Sequence, residues 1–133
     1  MKTDDESLIR AASAVRQNAY VPYSGYFVGA AVLDEAGRVH AGCNVENTAF
    51  PQGTCAEQNA IGAMVAAGGK RIVAIAVIGG TEEPITCMPC GACRQRICEF
   101  ADRHTRILLV GENDTTTSYR IEELLPASFR LPD

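Results

Sequence analysis

The sequence predicts an α/β fold: three layers, α/β/α, around a mixed five-stranded sheet. Three observations carry this. Unbroken apolar runs of strand length recur at 26–34, 71–80 and 105–111, and runs without polar alternation belong to strands covered on both faces. Helical patterns separate these runs from one another. The first run is followed by a Gly-containing turn and a return strand, so the sheet opens with a hairpin and mixes strand directions.

The elements follow in order. Residues 1–5 are polar and read as a tail. Leu8, Ala12, Val15 and Ala19 recur at helical spacing, predicting an amphipathic helix to about Tyr20, broken by "VPYSG". "YFVGAAVLD" is a buried strand, "DEAGR" a turn and "VHAGCNV" its partner. After the loop "ENTAFPQG", the stretch "CAEQNAIGAMVAAGG" is a helix rich in small residues and stopped by Gly68 and Gly69. "RIVAIAVIGG" is the next strand, "PCGACRQRICEFAD" a helix, "TRILLVG" a strand, "TTSYR" a weak short strand, and "IEELLPASF" a short helix and loop.

The 133 residues make one domain, 1–133. Apolar residues are 47% of the chain, enough for a core, and a net charge of -4 without a basic run argues against nucleic-acid binding. The first ten residues lack the basic and apolar regions of a signal peptide, and no apolar run approaches a membrane span. A cytoplasmic protein is expected. Six cysteines there argue for metal or catalysis before disulfides.

Two fragments concentrate the cysteines: "GTCAEQNAI" and "CMPCGACRQ". Thr54 with Glu57 three residues later has the capping-box pattern, so Glu57 has a purely structural reading as a cap. Pro89 suits the first turn of the second helix. Both fragments are thus strand–loop–helix junctions, where sites form in open α/β sheets. Cys90 and Cys93 have a zinc-ligand spacing, a helix N-terminus favours their thiolates, and Cys55 could add a third sulfur. Three protein ligands leave the fourth tetrahedral position for water, near Glu57. "CAE" with "PCGAC" is the three-cysteine form of the zinc-deaminase pattern, whose glutamate is a proton shuttle. Cys87 leaves an alternative open: with Cys55, Cys90 and Cys93 it could close a structural four-sulfur zinc site. Cys43 and Cys98 read as small buried hydrophobes, and His40 and His104 as surface histidines.

The chain resembles the small homotetrameric cytidine deaminases, through "VPYSGYFVGAAV", "GCNVEN", "CAE", "PCGACRQ" and "ELLPASF". The resemblance implies one Zn2+ per chain on Cys55, Cys90 and Cys93, with Glu57 as the catalytic proton shuttle. It implies that Asn44 and Glu46 hold the ribose, that the Ala56 N–H meets the pyrimidine carbonyl, and that Tyr26 lines the pocket where the family usually has Phe. It implies that Phe129 stacks on the base in a neighbouring subunit's pocket. The expected partners are a cytosine nucleoside and copies of this chain, with neither nucleic acid nor membrane. Deamination of another cytosine nucleoside, such as blasticidin S, is the alternative enzyme reading, and a non-catalytic zinc module the non-enzyme one. The chain departs from the family at Gln58, where an Arg is common, in "YSGYF", and at Phe50 and Pro51. Arg94 is the nearest candidate in sequence to replace the missing cation.

Overall fold

The computed structural model describes residues 3–132. Helix α1 (Thr3–Arg16) is followed by the hairpin β1 (Phe27–Asp34) and β2 (Val39–Cys43), then α2 (Ala56–Ala66) and β3 (Ile72–Gly80). Helix α3 (Gly91–Phe100), β4 (Arg106–Val110), β5 (Thr116–Tyr119) and α4 (Ile121–Leu124) complete it. The strands form one sheet in the order β2-β1-β3-β4-β5. β3 and β4 run parallel, joined across α3, and every other neighbouring pair is antiparallel. The mixed five-stranded sheet expected from the sequence is therefore present, including the weak fifth strand.

The period-two alternation of the strands divides the apolar residues between two cores. On one face Leu8 and Ala12 of α1 pack against Ala31, Ala74, Ala76 and Leu108. On the other, Ala60 and Met64 of α2 and Ile97 of α3 pack against Ala30, Val32, Val77 and Leu109. The small residues on β1 and β3 let the helices lie close. Two glycines make this literal. A side chain at Gly29 would collide with the Ala12 carbonyl of α1, and one at Gly42 with the Ala60 nitrogen of α2. α2 is thus seated backbone-to-backbone on β2, and this sets where its N-terminus emerges.

Two boundaries differ from the sequence expectation. The polar tail is not a tail from Thr3 onward, because α1 already starts there; residues 1 and 2 lie outside the described residues. Asp4, Asp5 and Glu6 occupy its first turn, where the helix dipole favours negative charge. Asp5 is buried, and its Oδ2 accepts a 2.6 Å hydrogen bond from Arg106 Nη1. The helix also ends at Arg16, short of Tyr20. The Arg16 guanidinium leaves the helix to donate to the carbonyls of Phe27, Gly80 and Glu82, which ties α1 to the ends of β1 and β3. Among the described residues no helix is long and apolar enough to cross a membrane.

The β1–β2 turn is organised by a buried carboxylate. Asp34 is 1% exposed. Its Oδ1 accepts from the N–H groups of Ala36 and Arg38, both at 2.9 Å, and its Oδ2 from Arg38 Nε at 3.0 Å. His40 Nε2 lies 2.8 Å from the same Oδ2, so His40 is a half-buried partner of this network and not the surface histidine the sequence suggests. His104 is exposed, as expected.

Burial alone would raise the Asp34 pKa, but the His40 bond, the two backbone N–H groups and the Arg38 charge outweigh it and hold it at about 2. The folded value lies below the ordinary carboxylate value of about 3.9, so the ionised form favours folding. The contribution is complete above about pH 5 and is lost as pH falls towards about 2. Asp34→Asn is expected to lower stability by about 2–3 kcal/mol near neutral pH. Urea unfolding of both proteins across the acid range should show that difference narrowing below about pH 4.

Candidate metal centre and catalytic cleft

Two helix starts converge beside one another. Cys55 is the N-cap of α2 and Cys90 the N-cap of α3, both in extended backbone. Cys93 lies one turn into α3 and is fully buried. The three sulfurs all lie within 4.8 Å of one another. Zinc–sulfur bonds of about 2.3 Å place the sulfurs of one tetrahedron about 3.8 Å apart, so the trio is spaced for a single ion. Cys87 is not a member of this trio. It lines the same cleft, half-buried, and packs with Tyr26 against the core.

The start of α2 differs from the capping-box expectation by one residue. Thr54 is drawn into an extended bridge with Val45, their N–H and C=O groups exchanging bonds of 2.9 and 3.0 Å. The box forms instead between Cys55 and Gln58: Gln58 Oε1 accepts from the Cys55 N–H at 3.3 Å, and the Cys55 sulfur accepts from the Gln58 N–H. Glu57 takes no part in the cap. It sits in the first turn of α2 facing the cleft, 4% exposed.

The cleft has a volume of about 300 Å³, and Cys55, Ala56, Glu57 and Cys90 meet on its wall. Asn44, Glu46, Phe50 and Met88 line it further out. Asn44 is locked by both ends of its amide: Oδ1 accepts from the Val28 N–H at 2.9 Å, and Nδ2 donates to the Tyr26 carbonyl at 2.8 Å. Glu46 accepts from the N–H groups of Tyr23 and Ser24 at 2.9 and 3.2 Å and from the Ser24 hydroxyl. The Ser24 bond is the main cause of a carboxyl pKa below its ordinary value. Of the residues expected around a substrate, Asn44, Glu46, Ala56 and Glu57 are thus brought together with the sulfurs. Tyr26 is not on the cleft wall; it packs behind Cys87 against the core, its pKa pushed up to about 12 by burial first and by Cys87 second. Phe129 lies away from this chain's own cleft, 71% exposed, its carbonyl accepting a 3.3 Å bond from Gln95 Nε2.

Electrostatics at the meeting point are unusual. Burial raises the Glu57 pKa to about 7, and the neighbouring Cys55 adds to the rise. Hydrogen bonding from Cys93 is the largest influence on Cys55 and, with Cys90 and Arg96, draws its pKa down to about 6 against the effect of burial. Cys93, the donor of that bond, is pushed up. Of this pair, Cys55 is the thiolate and Cys93 the thiol that donates to it. Soft sulfur donors of this kind, at the positive ends of two helices, fit zinc.

Arg94, the expected replacement cation, points elsewhere. It donates to the Pro89 carbonyl at 2.8 Å and to the Leu124 carbonyl at 2.9 Å, bracing α4 against the start of α3. Arg96 reaches the centre instead, with Nη1 at 3.5 Å from the Cys93 sulfur. The signal was in the spacing: consecutive helical residues point about 100° apart, whereas residues three apart share a face.

The family described as the cytidine and deoxycytidylate deaminase zinc-binding region matches residues 2–117. Cytidine deaminase of Sporosarcina psychrophila is 40% identical over 130 residues, covering 98% of this chain and 94% of that protein. Cytidine deaminase of Halalkalibacterium halodurans is 38% identical over 130 residues, covering 98% and 97%. The crystal structure of cytidine deaminase from Burkholderia pseudomallei superposes with a TM-score of 0.86 at 38% identity, covering 97% of this chain and all of that one. That from Mycobacterium tuberculosis gives 0.83 at 37% identity, covering 98% of this chain. Likeness of this extent, in sequence and in fold, places the chain in the cytidine and deoxycytidylate deaminase family.

Proposed function

We propose that this chain is a zinc-dependent cytidine deaminase, converting cytidine or deoxycytidine and water to the uridine product and ammonia. The observation that carries this is the buried Glu57 beside the three clustered sulfurs of Cys55, Cys90 and Cys93, in a chain 40% identical to a cytidine deaminase over 130 residues. The three thiolates would hold one Zn2+ per chain, which when bound supplies a water activated for attack at neutral pH.

The remaining steps belong to the protein. Glu57, with a pKa of about 7, can both accept and return a proton near neutral pH. It takes the proton of the attacking water and delivers it to N3 of the cytosine ring, which makes C4 electrophilic. As the water oxygen bonds to C4, Glu57 takes the remaining proton of that oxygen and passes it to the C4 amino group; the C4–N bond breaks, ammonia departs and the oxygen stays as the C4 carbonyl of the uridine product. The Ala56 N–H, at the positive end of α2, orients the pyrimidine carbonyl. Asn44 and Glu46, each fixed by backbone bonds, present polar atoms to the ribose. The six cysteines are free thiols, which suits the reducing cytoplasm. Role in pyrimidine salvage and assembly as a homotetramer belong to the same reading. So does completion of each pocket by Phe129 of a neighbouring copy, which its exposed position permits.

Loss of cytidine absorbance on mixing with zinc-loaded protein tests the reaction directly; unchanged absorbance with both cytidine and deoxycytidine would reject it. Glu57→Gln is expected to retain zinc, since Gln58 and not Glu57 completes the cap. It should lose about 10²–10⁴-fold in kcat, and activity within tenfold of the parent would remove the shuttle role. Metal analysis should find zinc kept in Cys87→Ala and lost in Cys90→Ala; equal loss would bring back the four-sulfur site. Mixed assemblies of Glu57→Gln and Phe129→Ala chains should regain activity neither parent has. A monomer of full activity would refute the shared pocket.

A further inference from the structure

Three thiolates around a divalent zinc carry a net charge of about -1. Such a centre needs positive charge nearby, or it binds its metal weakly and resists forming the activated water. Gln58 brings none, and its side chain is committed to the α2 cap. The helix N-termini contribute partial charges only.

We propose that Arg96 supplies the compensating full charge: a positioning residue that stabilises the three-sulfur centre from α3 without touching the substrate. Its Nη1 donates to the Cys93 sulfur at 3.5 Å in a part-buried setting. The side chains of a helix tilt towards its N-terminus, so a long side chain one turn beyond Cys93 reaches back to the sulfurs. Cys93 is fully buried, and an ion–dipole or ion–ion contact there is screened little by solvent. No carboxylate lies within salt-bridge distance of Arg96 among the described residues, so its charge is not already neutralised. The other arginine of this turn, Arg94, is taken up by two backbone carbonyls. Arg96 is the one cation whose hydrogen bonds reach the trio among the described residues. The sequence pairs a neutral residue on α2, beside Cys55, with a cation on α3, beside Cys93.

The inference rests on the zinc reading, so its test measures the metal and not turnover. Zinc release from the loaded protein to a chromogenic chelator is followed for the parent, Arg96→Met, Arg96→Lys and Arg94→Met, with circular dichroism as the check on folding. Arg96→Met should release zinc roughly 10- to 100-fold faster with an unchanged spectrum. Arg96→Lys should recover most of that loss, and Arg94→Met should behave as the parent. Release from Arg96→Met within twofold of the parent overturns the inference. So does Arg96→Lys failing as fully as Arg96→Met, because shape and not charge would then be at work. A parent chain that retains no zinc defeats the metal reading and this inference together. A parent that retains zinc but leaves cytidine untouched defeats the proposed function alone, and the release rates still decide for or against Arg96.

Discussion

Everything at the centre depends on two helix N-termini being made to meet. A helix start is a weak positive end with unpaired N–H groups, and bringing two of them together is unfavourable unless negative charge lies between. The fold imposes the approach through packing far from the site. α2 is held on β2 at Gly42 with no side chain between the backbones. α3 is the crossover that joins the parallel pair β3 and β4, so its start lies at the same end of the sheet. Thiolates at Cys55, Cys90 and Cys93 then resolve the repulsion that the packing creates. A side chain at Gly42 would lift α2 and separate Cys55 from the other two sulfurs, a change felt at the site although Gly42 touches no part of it.

The same enclosure sets the acid–base character of Glu57. A carboxyl group in water has a pKa near 4, too low to hold a proton for delivery at neutral pH. Burial under the α2 turn, with a thiolate-forming sulfur two residues before it, raises it to about 7. Arg96 opposes that rise, so one guanidinium draws Cys55 and Glu57 in the same downward direction. Glu57 and Cys55 are thus tuned by a shared cation, and moving it shifts both together.

Much of this was legible in the sequence. Strand-length apolar runs and the Gly37 turn sufficed for the sheet, and "CAE" with "PCGAC" for the sulfurs and the carboxylate. The cap was misread because Thr54 and Glu57 fit a local pattern perfectly well; only the long-range bridge from Thr54 to Val45 removes Thr54 from the helix. The tail was misread for a related reason. Asp4 and Asp5 look solvated until Arg106, a hundred residues on, is seen to pair with Asp5. His40 reads as a surface residue until the strand pairing folds it onto Asp34. Arg96 was within reach, since helical spacing alone separates it from Arg94. What stayed hidden are contacts set by how strands and loops are brought against one another, whether the partners are six residues apart, as His40 and Asp34 are, or 101, as Asp5 and Arg106 are.

The outer cleft shows how rigidity can serve the proposed reaction. Asn44 and Glu46, both on the cleft lining, are tied to residues 23–28 through four hydrogen bonds to backbone and one to the Ser24 hydroxyl. A carboxylate already fixed by two N–H groups and a hydroxyl loses little freedom when a sugar hydroxyl arrives, and binding then costs less entropy. Within the segment that fixes them, Tyr23 packs edge-on against Phe50 with ring centroids 5.6 Å apart. Tyr23 therefore links the wall at Phe50 to the anchor of Glu46. A change at either aromatic would disturb the setting of Glu46, the proposed ribose anchor, and leave the sulfurs, held by α2 and α3, where they are. On the proposed reading, nucleoside preference and metal chemistry rest on different elements of this fold, the former on the loop around Tyr23, Glu46 and Phe50 and the latter on α2 and α3.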